Sequence, residues 1–290
     1  MRFYTARMND TLQTLDGLSL HVRRWPLAAA SDPARGTVLI VHGLGEHIGR
    51  YPHVAAHLNG WGWNVVGFDQ RGHGRSGGAK GQLAAPDSLL QDLSQVIAAV
   101  RAEHAGTLVL LGHSMGGLVA ARFVAEGLLS SPAPWQRAVD ALVLSSPALD
   151  AGMSAAQKLL LAVTAPLAPN LAIGNGLKPA WISRDPAVVT AYEADVLVHD
   201  RITPRLARFI VDGGELVREN AARWAVPTLL LFAGSDRCVA PAGSKAFAAA
   251  APASVLTARE FAPLFHEIFN EPEQADVFAA LGAWLAARGH

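Results

Sequence analysis

The stretch LVLLGHSMGGLVAARF, residues 108–123, decides the fold. An apolar run ends at Gly112, a single serine follows between glycines, and an alanine-rich apolar segment resumes at once. Apolar runs bounded by glycine are typical of strands that are buried on both faces of a parallel sheet. The pattern therefore predicts a strand, a sharp turn at Ser114 and a helix.

The same alternation of strand and helix extends along most of the chain. Six short apolar runs predict strands, at 37–43, 63–69, 107–113, 141–148, 226–234 and 254–261. Helical spacing predicts helices at 51–60, 87–104, 114–129 and 271–287. Residues 11–25 alternate around Asp16-Gly17, which predicts an antiparallel hairpin. We therefore expect an α/β fold, with a mostly parallel central sheet and helices on both faces.

The alternation stops between residues 150 and 222. This segment contains helical pieces at Ala155–Ala165 and Pro204–Asp212 and loops with proline and glycine, and no strand is predicted in it. Structureless loops of such length are uncommon in compact domains. We therefore predict a helical cap at 150–222, inserted into a core that is formed by 1–149 and 223–290.

Composition excludes several classes of function. The chain of 290 residues is 51% hydrophobic and 17% charged, with 24 basic and 24 acidic residues and no run of like charges. This composition predicts a large core and no binding of nucleic acid. The single cysteine, Cys238, excludes an internal disulfide. Because MRFYTARMND at the N-terminus lacks the apolar core of a secretory signal, we expect a cytoplasmic protein.

Ser114 has the surroundings of a catalytic nucleophile. It is the serine of a Gly-x-Ser-x-Gly motif between a predicted strand and a predicted helix. In such a turn the strained backbone aims the hydroxyl over the C-terminal edge of the sheet, where open α/β folds bind ligands. The helix that follows adds free N–H groups and a positive dipole end.

A nucleophilic serine needs a base, and the base needs a group that orients it. After Ser114 come three histidines: His199 in the predicted cap, His266 beyond the last strand, and His290 at the chain end. Asp236 directly follows the predicted strand at 226–234, at the same sheet edge as His266. The order serine, aspartate, histidine predicts a triad of Ser114, Asp236 and His266. The oxyanion hole is predicted to combine the N–H groups of Met115 and of Leu44, in the loop at 42–50.

Two further motifs do not lead to a cofactor. GHGRSG at 72–77 matches a dinucleotide fingerprint, but no helix is predicted after its third glycine. His42, Glu46 and His47 are metal-ligand types, yet their spacing matches neither of the zinc-binding helix motifs. We predict neither a cofactor nor a metal.

Five motifs together, spread over essentially the whole chain, resemble one family. They are HGLGEHIGRY, FDQRGHGRSGG, GHSMGG, the Ser-Asp of AGSDRCVAP, and FHEIFNE. The family is the monoacylglycerol lipase and lysophospholipase group of capped α/β-hydrolases. The resemblance implies an α/β-hydrolase fold with a helical cap, and hydrolysis of carboxylic esters of glycerol and similar alcohols without a cofactor.

The resemblance also implies residues that bind the alcohol part of the substrate. These are Glu46, Arg50 and His113, together with a cap tyrosine that corresponds to Tyr192. Glu46 and Arg50 have an alternative interpretation as a local ion pair that holds the loop. For His113 the alternative is a residue that only packs within the turn at Ser114. Leu44 is bulkier than the small residues of the family at this position, and its side chain is expected to narrow the head-group pocket.

Apolar residues of the predicted cap allow three interpretations. They line a tunnel for an acyl chain, they only pack the cap onto the core, or they are exposed and contact micelles or membrane surfaces. The residues are Leu159, Leu160, Leu161, Val163, Leu167, Leu171 and Ile173.

The predicted function is that of a serine hydrolase, which cleaves a small-molecule ester with an acyl chain through an acyl-enzyme. The first alternative is an esterase, thioesterase or peptidase that acts on small non-lipid acyl compounds. A second alternative, from another class of protein, is a non-catalytic ligand-binding member of the fold.

Overall fold

The computed structural model describes residues 10–27 and 34–288. Two features considered in the sequence, residues 1–9 of the N-terminal stretch and His290, lie outside the described residues. Within these ranges the strands are β1 (Thr11–Gln13), β2 (Ser19–Trp25), β3 (Gly36–Val41), β4 (Asn64–Phe68), β5 (Thr107–His113), β6 (Ala141–Ser145), β7 (Ile173–Gly174), β8 (Arg201–Ile202), β9 (Thr228–Ala233) and β10 (Leu256–Phe261). The α-helices are α1 (Pro52–Gly60), α2 (Ser88–Glu103), α3 (Met115–Glu126), α4 (Ala155–Leu167), α5 (Pro186–Ala194), α6 (Pro204–Glu219), α7 (Pro241–Ala250) and α8 (Gln274–Ala286).

Eight of the strands form one mostly parallel sheet, in the order β1-β2-β4-β3-β5-β6-β9-β10. Among the described strands of this sheet, the pairs β1 with β2 and β2 with β4 are antiparallel and the other pairs are parallel, so the hairpin predicted for residues 11–25 is confirmed. All six strands predicted from the apolar runs are present, most of them shorter at the ends than predicted. This arrangement is the α/β fold that the sequence predicts, and it fits the α/β-hydrolase fold that the resemblance implies.

Side chains of the central strands alternate between two apolar layers, because successive residues of a strand point to opposite faces. Leu108 and Leu110 of β5 belong to the layer that contains α2, α3, α6 and α7. Val109 and Leu111 belong to the opposite layer, with α1 and α8. The sheet is therefore buried on both faces, which explains why its strands read as continuous apolar runs.

The segment between β6 and β9 contains α4, α5 and α6. It also contains β7 and β8, which pair with each other over two residues, although the sequence predicted no strand there. Helix α6 buries Leu206, Phe209 and Val217 in the same apolar layer as α3. Helix α4, in contrast, buries only Leu161. The division into a core and a cap at 150–222 stays a prediction.

Candidate active site

The turn between β5 and α3 holds Ser114 in a strained backbone conformation. Its φ of 54° and ψ of −122° are conformations that residues other than glycine rarely adopt. The tight turn also brings neighbouring backbones together: a Cβ atom on Gly116 would lie 2.1 Å from the carbonyl oxygen of Val41. Ser114 is anchored by its own N–H, which donates to the carbonyl of Ser145 at 2.9 Å. Strain and close packing therefore present the hydroxyl above the sheet edge.

The hydroxyl of Ser114 is the first member of a continuous chain of hydrogen bonds. Its Oγ lies 2.8 Å from Nε2 of His266, and Nδ1 of His266 lies 2.7 Å from Oδ2 of Asp236. The other carboxylate oxygen of Asp236 accepts from the backbone N–H groups of Cys238 at 2.8 Å and Val239 at 3.1 Å. The structure thus brings together the three residues predicted from the sequence. A proton on Nδ1 leaves Nε2 free to accept from the serine.

Electrostatics keep the acid charged and make the histidine more basic. Burial by itself would raise the pKa of Asp236, but the adjacent His266 and two backbone N–H groups lower it below its ordinary value. Burial would lower the pKa of His266, but Asp236, with Glu267 and Glu46 further away, raises it. The pair is therefore ready to hold the positive imidazolium that forms when the serine loses its proton.

A cavity of about 480 Å³ opens directly above Ser114. The sheet-edge loops provide its floor, with Leu44, Ser114 and His266 among the lining residues. Residues of the predicted cap line the opposite side, among them Leu177, Ile182, Tyr192 and Val198. The serine hydroxyl is therefore accessible to a molecule that fits between the sheet edge and residues 175–200.

The loop at 42–50 is fixed on two sides. The N–H of Gly43 donates to Oε1 of Glu46 at 2.6 Å, and the carbonyl of Gly45 accepts from the N–H of His199 at 2.9 Å. Leu44 lies between these two anchors and lines the cavity. Met115 begins α3 on the other side of Ser114, where the first N–H groups of a helix have no partner within the helix. These two N–H groups remain the predicted oxyanion hole.

Glu46 and Arg50 form a local ion pair of the kind that the sequence left open. Oε2 of Glu46 lies 2.9 Å from the Arg50 guanidinium, and Oε1 also accepts from the Tyr51 hydroxyl at 2.7 Å. Arg50 in turn makes two hydrogen bonds with Glu267, at 2.6 and 2.8 Å. Burial would raise the pKa of Glu46, but Arg50 lowers it, so the carboxylate is charged. The Arg50 guanidinium, which is only partly exposed, thus joins the loop at 42–50 to the residue that follows His266.

The remaining predicted substrate residues lie at the cavity wall. Glu46, His113 and Tyr192 line the cavity. Arg50 instead borders a smaller neighbouring pocket, and its Cζ atom lies 4.8 Å from the centroid of the Tyr192 ring. Nδ1 of His113 lies 3.0 Å from Oγ of Ser145. Burial and the neighbouring His266 lower the pKa of His113 to about 4, so this imidazole is neutral at neutral pH.

Sequence reasoning missed Glu267, and it used Cys238 only to exclude an internal disulfide. Glu267 is adjacent to His266 in the FHEIFNE motif, a position that could have drawn attention to it. Cys238 lines the cavity, and ligand atoms of Asp236, Cys238 and His266 lie within 4.8 Å of one another. Burial and then Asp236 raise the pKa of the Cys238 thiol, which is therefore protonated at neutral pH. Asp236 and His266 already use their facing atoms in the hydrogen bond to each other.

The apolar cap residues for which an acyl tunnel is one of three interpretations do not line this cavity. Leu167 is 79% exposed and Leu159 is 68% exposed, and only Leu161 of α4 is buried. Leu160, Val163, Leu171 and Ile173 are also exposed. The tunnel interpretation is therefore wrong for these residues, and packing onto the core applies to Leu161 alone. Within residues 10–27 and 34–288, no helix combines the length and the apolar character needed to cross a membrane.

The strand order, the strained serine turn and the hydrogen-bonded serine, histidine and aspartate define the class of serine hydrolases with an α/β-hydrolase fold. Residues 32–273 match the sequence pattern of the family described as serine aminopeptidase, S33. The chain belongs to this family, and it is a serine ester hydrolase.

Named relatives agree with this class. The chain is 34% identical to a monoacylglycerol lipase of Mycolicibacterium smegmatis over 262 residues, which is 89% of this chain and 90% of that protein. It is 30% identical to phospholipase YtpA of Bacillus subtilis over 259 residues, 88% of this chain and 96% of that protein. The crystal structure of Paleococcus ferrophilus monoacylglycerol lipase superimposes with a TM-score of 0.81 at 34% identity, covering 92% of this chain and 98% of the other.

Proposed function

We propose that the protein hydrolyses monoacylglycerols and related single-chain lipid esters through an acyl-enzyme at Ser114. The observation that carries the proposal is the chain of hydrogen bonds from Ser114 through His266 to Asp236, at 2.8 and 2.7 Å, on the floor of a cavity of about 480 Å³. The monoacylglycerol lipases among its relatives support the choice of substrate. No cofactor takes part in the proposed reaction.

In the first half of the reaction, Nε2 of His266 takes the proton of Ser114 as Oγ attacks the ester carbonyl. Asp236 holds the imidazole in the required tautomer and stabilises its positive charge. The N–H groups of Leu44 and Met115 donate to the oxyanion, and each such donor contributes about 3 kcal/mol to the stability of the transition state. The tetrahedral intermediate then collapses, and His266 gives its proton to the departing alcohol.

In the second half, water attacks the acyl-enzyme at the same carbonyl. His266 takes a proton from this water, and the new oxyanion uses the same two N–H donors. Collapse of the second intermediate releases the carboxylic acid, and Ser114 regains its proton from His266. Each proton that the histidine accepts is thus returned within the same half-reaction.

Polar groups at the cavity wall suit the alcohol part of the substrate. Glu46, His113 and Tyr192 line the cavity near Ser114 and offer hydrogen-bond acceptors and donors to glycerol hydroxyls. Arg50 acts indirectly, since its guanidinium holds Glu46 and lies over the Tyr192 ring. Segment 150–222 acts as the cap of the site, with residues 175–200 closing over the ester.

The exposed apolar surface of α4 supports a further part of the proposal, which is contact with the surface of a membrane or micelle. Leu159, Leu160 and Leu167 are each more than half exposed, and exposed apolar side chains on one helix are a feature of lipid contact sites. We expect the double substitution of Leu160 and Leu167 by serine to reduce binding to phospholipid vesicles. Turnover of a water-soluble ester should not change. A cytoplasmic location remains a prediction of the sequence.

The decisive experiment compares the wild-type protein with Ser114→Ala on one panel of substrates. The panel contains monoacylglycerols of increasing chain length, a lysophospholipid, short aryl esters, an aryl thioester and an aryl amide. Turnover that is highest on medium or long monoacylglycerols and absent in the variant is the expected result. Turnover restricted to short esters, to the thioester or to the amide would refute the lipid substrate. The protein would then be an esterase, a thioesterase or a peptidase for small acyl compounds, respectively. Turnover that survives in Ser114→Ala would refute the proposed nucleophile.

A further inference from the structure

The motif FHEIFNE ends in Glu271, a glutamate that takes no part in the proposed reaction. Its side chain is fully buried, with an exposed fraction of 0%. Carboxylates are almost never buried to this extent unless other groups neutralise them, because removing a charge from water is costly. The contacts of Glu271 therefore indicate what it holds in place.

Each carboxylate oxygen of Glu271 accepts two hydrogen bonds. Oε1 accepts from the Ser183 hydroxyl at 2.8 Å and from the backbone N–H of Arg184 at 2.5 Å. Oε2 accepts from the Arg184 side chain at 2.6 Å and from the backbone N–H of Phe265 at 2.9 Å. Burial would raise the pKa of Glu271, but Arg184 and the other donors lower it, so the carboxylate is charged. Glu271 thus bridges residues 183–184 of the predicted cap to the residue that precedes His266.

A second hydrogen bond fixes the other side of His266. The N–H of Glu267 donates to the carbonyl of Ile182 at 2.8 Å. Both residues next to the histidine are therefore attached to one short segment, residues 182–184. Ile182 also lines the cavity above Ser114, so this segment borders the substrate.

We propose that Glu271 is a positioning residue, which couples residues 182–184 to the loop of His266 and keeps the imidazole aligned with both Ser114 and Asp236. This inference rests on the proposed role of His266 as the base. The imidazole must satisfy two short hydrogen bonds at once, and displacement of a reacting group by about 1 Å can reduce a rate by about 100-fold. A carboxylate with four donors is a stiff link between the two segments.

Glu273 provides a matched control. It binds the same guanidinium, since Nη2 of Arg184 donates to it, but its side chain is 47% exposed. None of the hydrogen bonds found for Glu273 within the described residues reaches the loop at 265–267. Replacing Glu273 by glutamine therefore weakens the salt bridge without touching the link to His266.

The test compares Glu271→Gln with Glu273→Gln, using a water-soluble aryl ester on which the wild-type protein is active. Glutamine has one NH₂ group in place of an accepting oxygen, so in either orientation a backbone N–H, of Arg184 or of Phe265, loses its acceptor. For Glu271→Gln we expect kcat to fall by about 10- to 100-fold, with KM within about two-fold of wild type. The proton resonance of His266 Nδ1–H should shift or broaden in this variant alone. For Glu273→Gln we expect wild-type values throughout.

Three results would overturn the inference: an unchanged kcat in Glu271→Gln, an effect confined to KM, or an equal loss in Glu273→Gln. If Glu271→Gln does not fold, Arg184→Met decides. That variant removes one of the four donors to Glu271, the partly exposed Arg184 side chain. A loss of kcat by a few-fold together with a shifted His266 resonance supports the link. Wild-type values of both overturn it. His266→Ala separates the two proposals, because activity of that variant refutes the proposed base. An inactive His266→Ala together with an unaffected Glu271→Gln refutes only the coupling.

Discussion

Replacement of Asp236 by asparagine tests the proposed triad most directly, because the surroundings of this side chain decide how the new amide is oriented. Oδ1 of Asp236 accepts from the N–H groups of Cys238 and Val239, and Oδ2 accepts from Nδ1 of His266. Asparagine keeps the two backbone bonds only if its oxygen takes the Oδ1 position. Its NH₂ group then points at Nδ1 of His266.

This orientation forces the histidine into the wrong tautomer. Nδ1 must accept from the amide, so the proton moves to Nε2, which faces the Ser114 hydroxyl and can no longer accept its proton. The opposite orientation leaves two N–H groups without an acceptor, at about 1–3 kcal/mol each, which favours the inactive form by about 2–6 kcal/mol. At about 1.4 kcal/mol for each factor of ten, the active fraction falls by about 30-fold to 10⁴-fold.

The assay is kcat on a water-soluble aryl ester, with Ser114→Ala as the background rate. Labelling of Ser114 by a fluorophosphonate should slow by a similar factor, since it also needs deprotonation of the hydroxyl by His266. Thermal unfolding of Asp236→Asn is measured alongside, to establish that the variant is folded. A folded variant that retains more than about one tenth of the wild-type kcat would refute the reasoning.

Two further predictions concern the charge beside the base and the serine turn. For Glu267→Gln we expect the acidic limb of the pH profile of kcat/KM to move to lower pH. The reaction needs neutral His266, whose pKa is raised by Asp236 and then by Glu267; a limb that stays in place or moves up would contradict this. For Gly116→Ala we expect thermal unfolding to show a strongly destabilised protein or no folding transition at all. The new Cβ would lie 2.1 Å from the Val41 carbonyl oxygen. Gly60→Ala, where a Cβ meets no atom within 4 Å, should be neutral or stabilising by about 0.5–1 kcal/mol, and equal behaviour of the two variants would refute the packing argument.

The sheet could be predicted from the sequence because its strands are buried on both faces. Residues such as Leu110 and Leu111 point to opposite apolar layers, so a run of apolar residues identifies the strand without reference to its partners. The strand ends then located Ser114, Asp236 and His266 at one edge of the sheet. Local pattern and chain order were sufficient for this part of the site.

Helices without a periodic apolar face were missed. Helix α5 has no buried residue, and its only local signal is Asp185 followed by Pro186 at the first helical position. Helix α7 is rich in alanine and buries one large side chain, Phe247. The strands β7 and β8 have two residues each, too few for any periodicity. Pattern reasoning needs an apolar face of several turns or residues, and these elements lack one.

Contacts between distant residues explain the other differences. Arg50 meets Glu267, which is 217 residues further along the chain, so the cation that joins the two loops was invisible to local reasoning. The apolar residues of α4 were recognised in the sequence. The sequence does not reveal whether such residues pack onto the core, line a cavity or remain exposed. The tunnel was one of three interpretations, and it follows from the usual burial of apolar residues, whereas Leu159 and Leu167 are exposed.

We expect the chemistry, and most of the variation in selectivity, to come from different parts of this chain. Ser114, Asp236 and His266 follow β5, β9 and β10, strands of one hydrogen-bonded sheet, so the rigid sheet fixes their separation. The opposite wall of the cavity comes from residues 175–200, which form short elements with few buried side chains. Changes in that wall can therefore alter the substrate while the triad geometry persists, except where residues 182–184 are tied to the histidine loop. We expect selectivity to vary most around Leu177 and Tyr192, and least around Ile182.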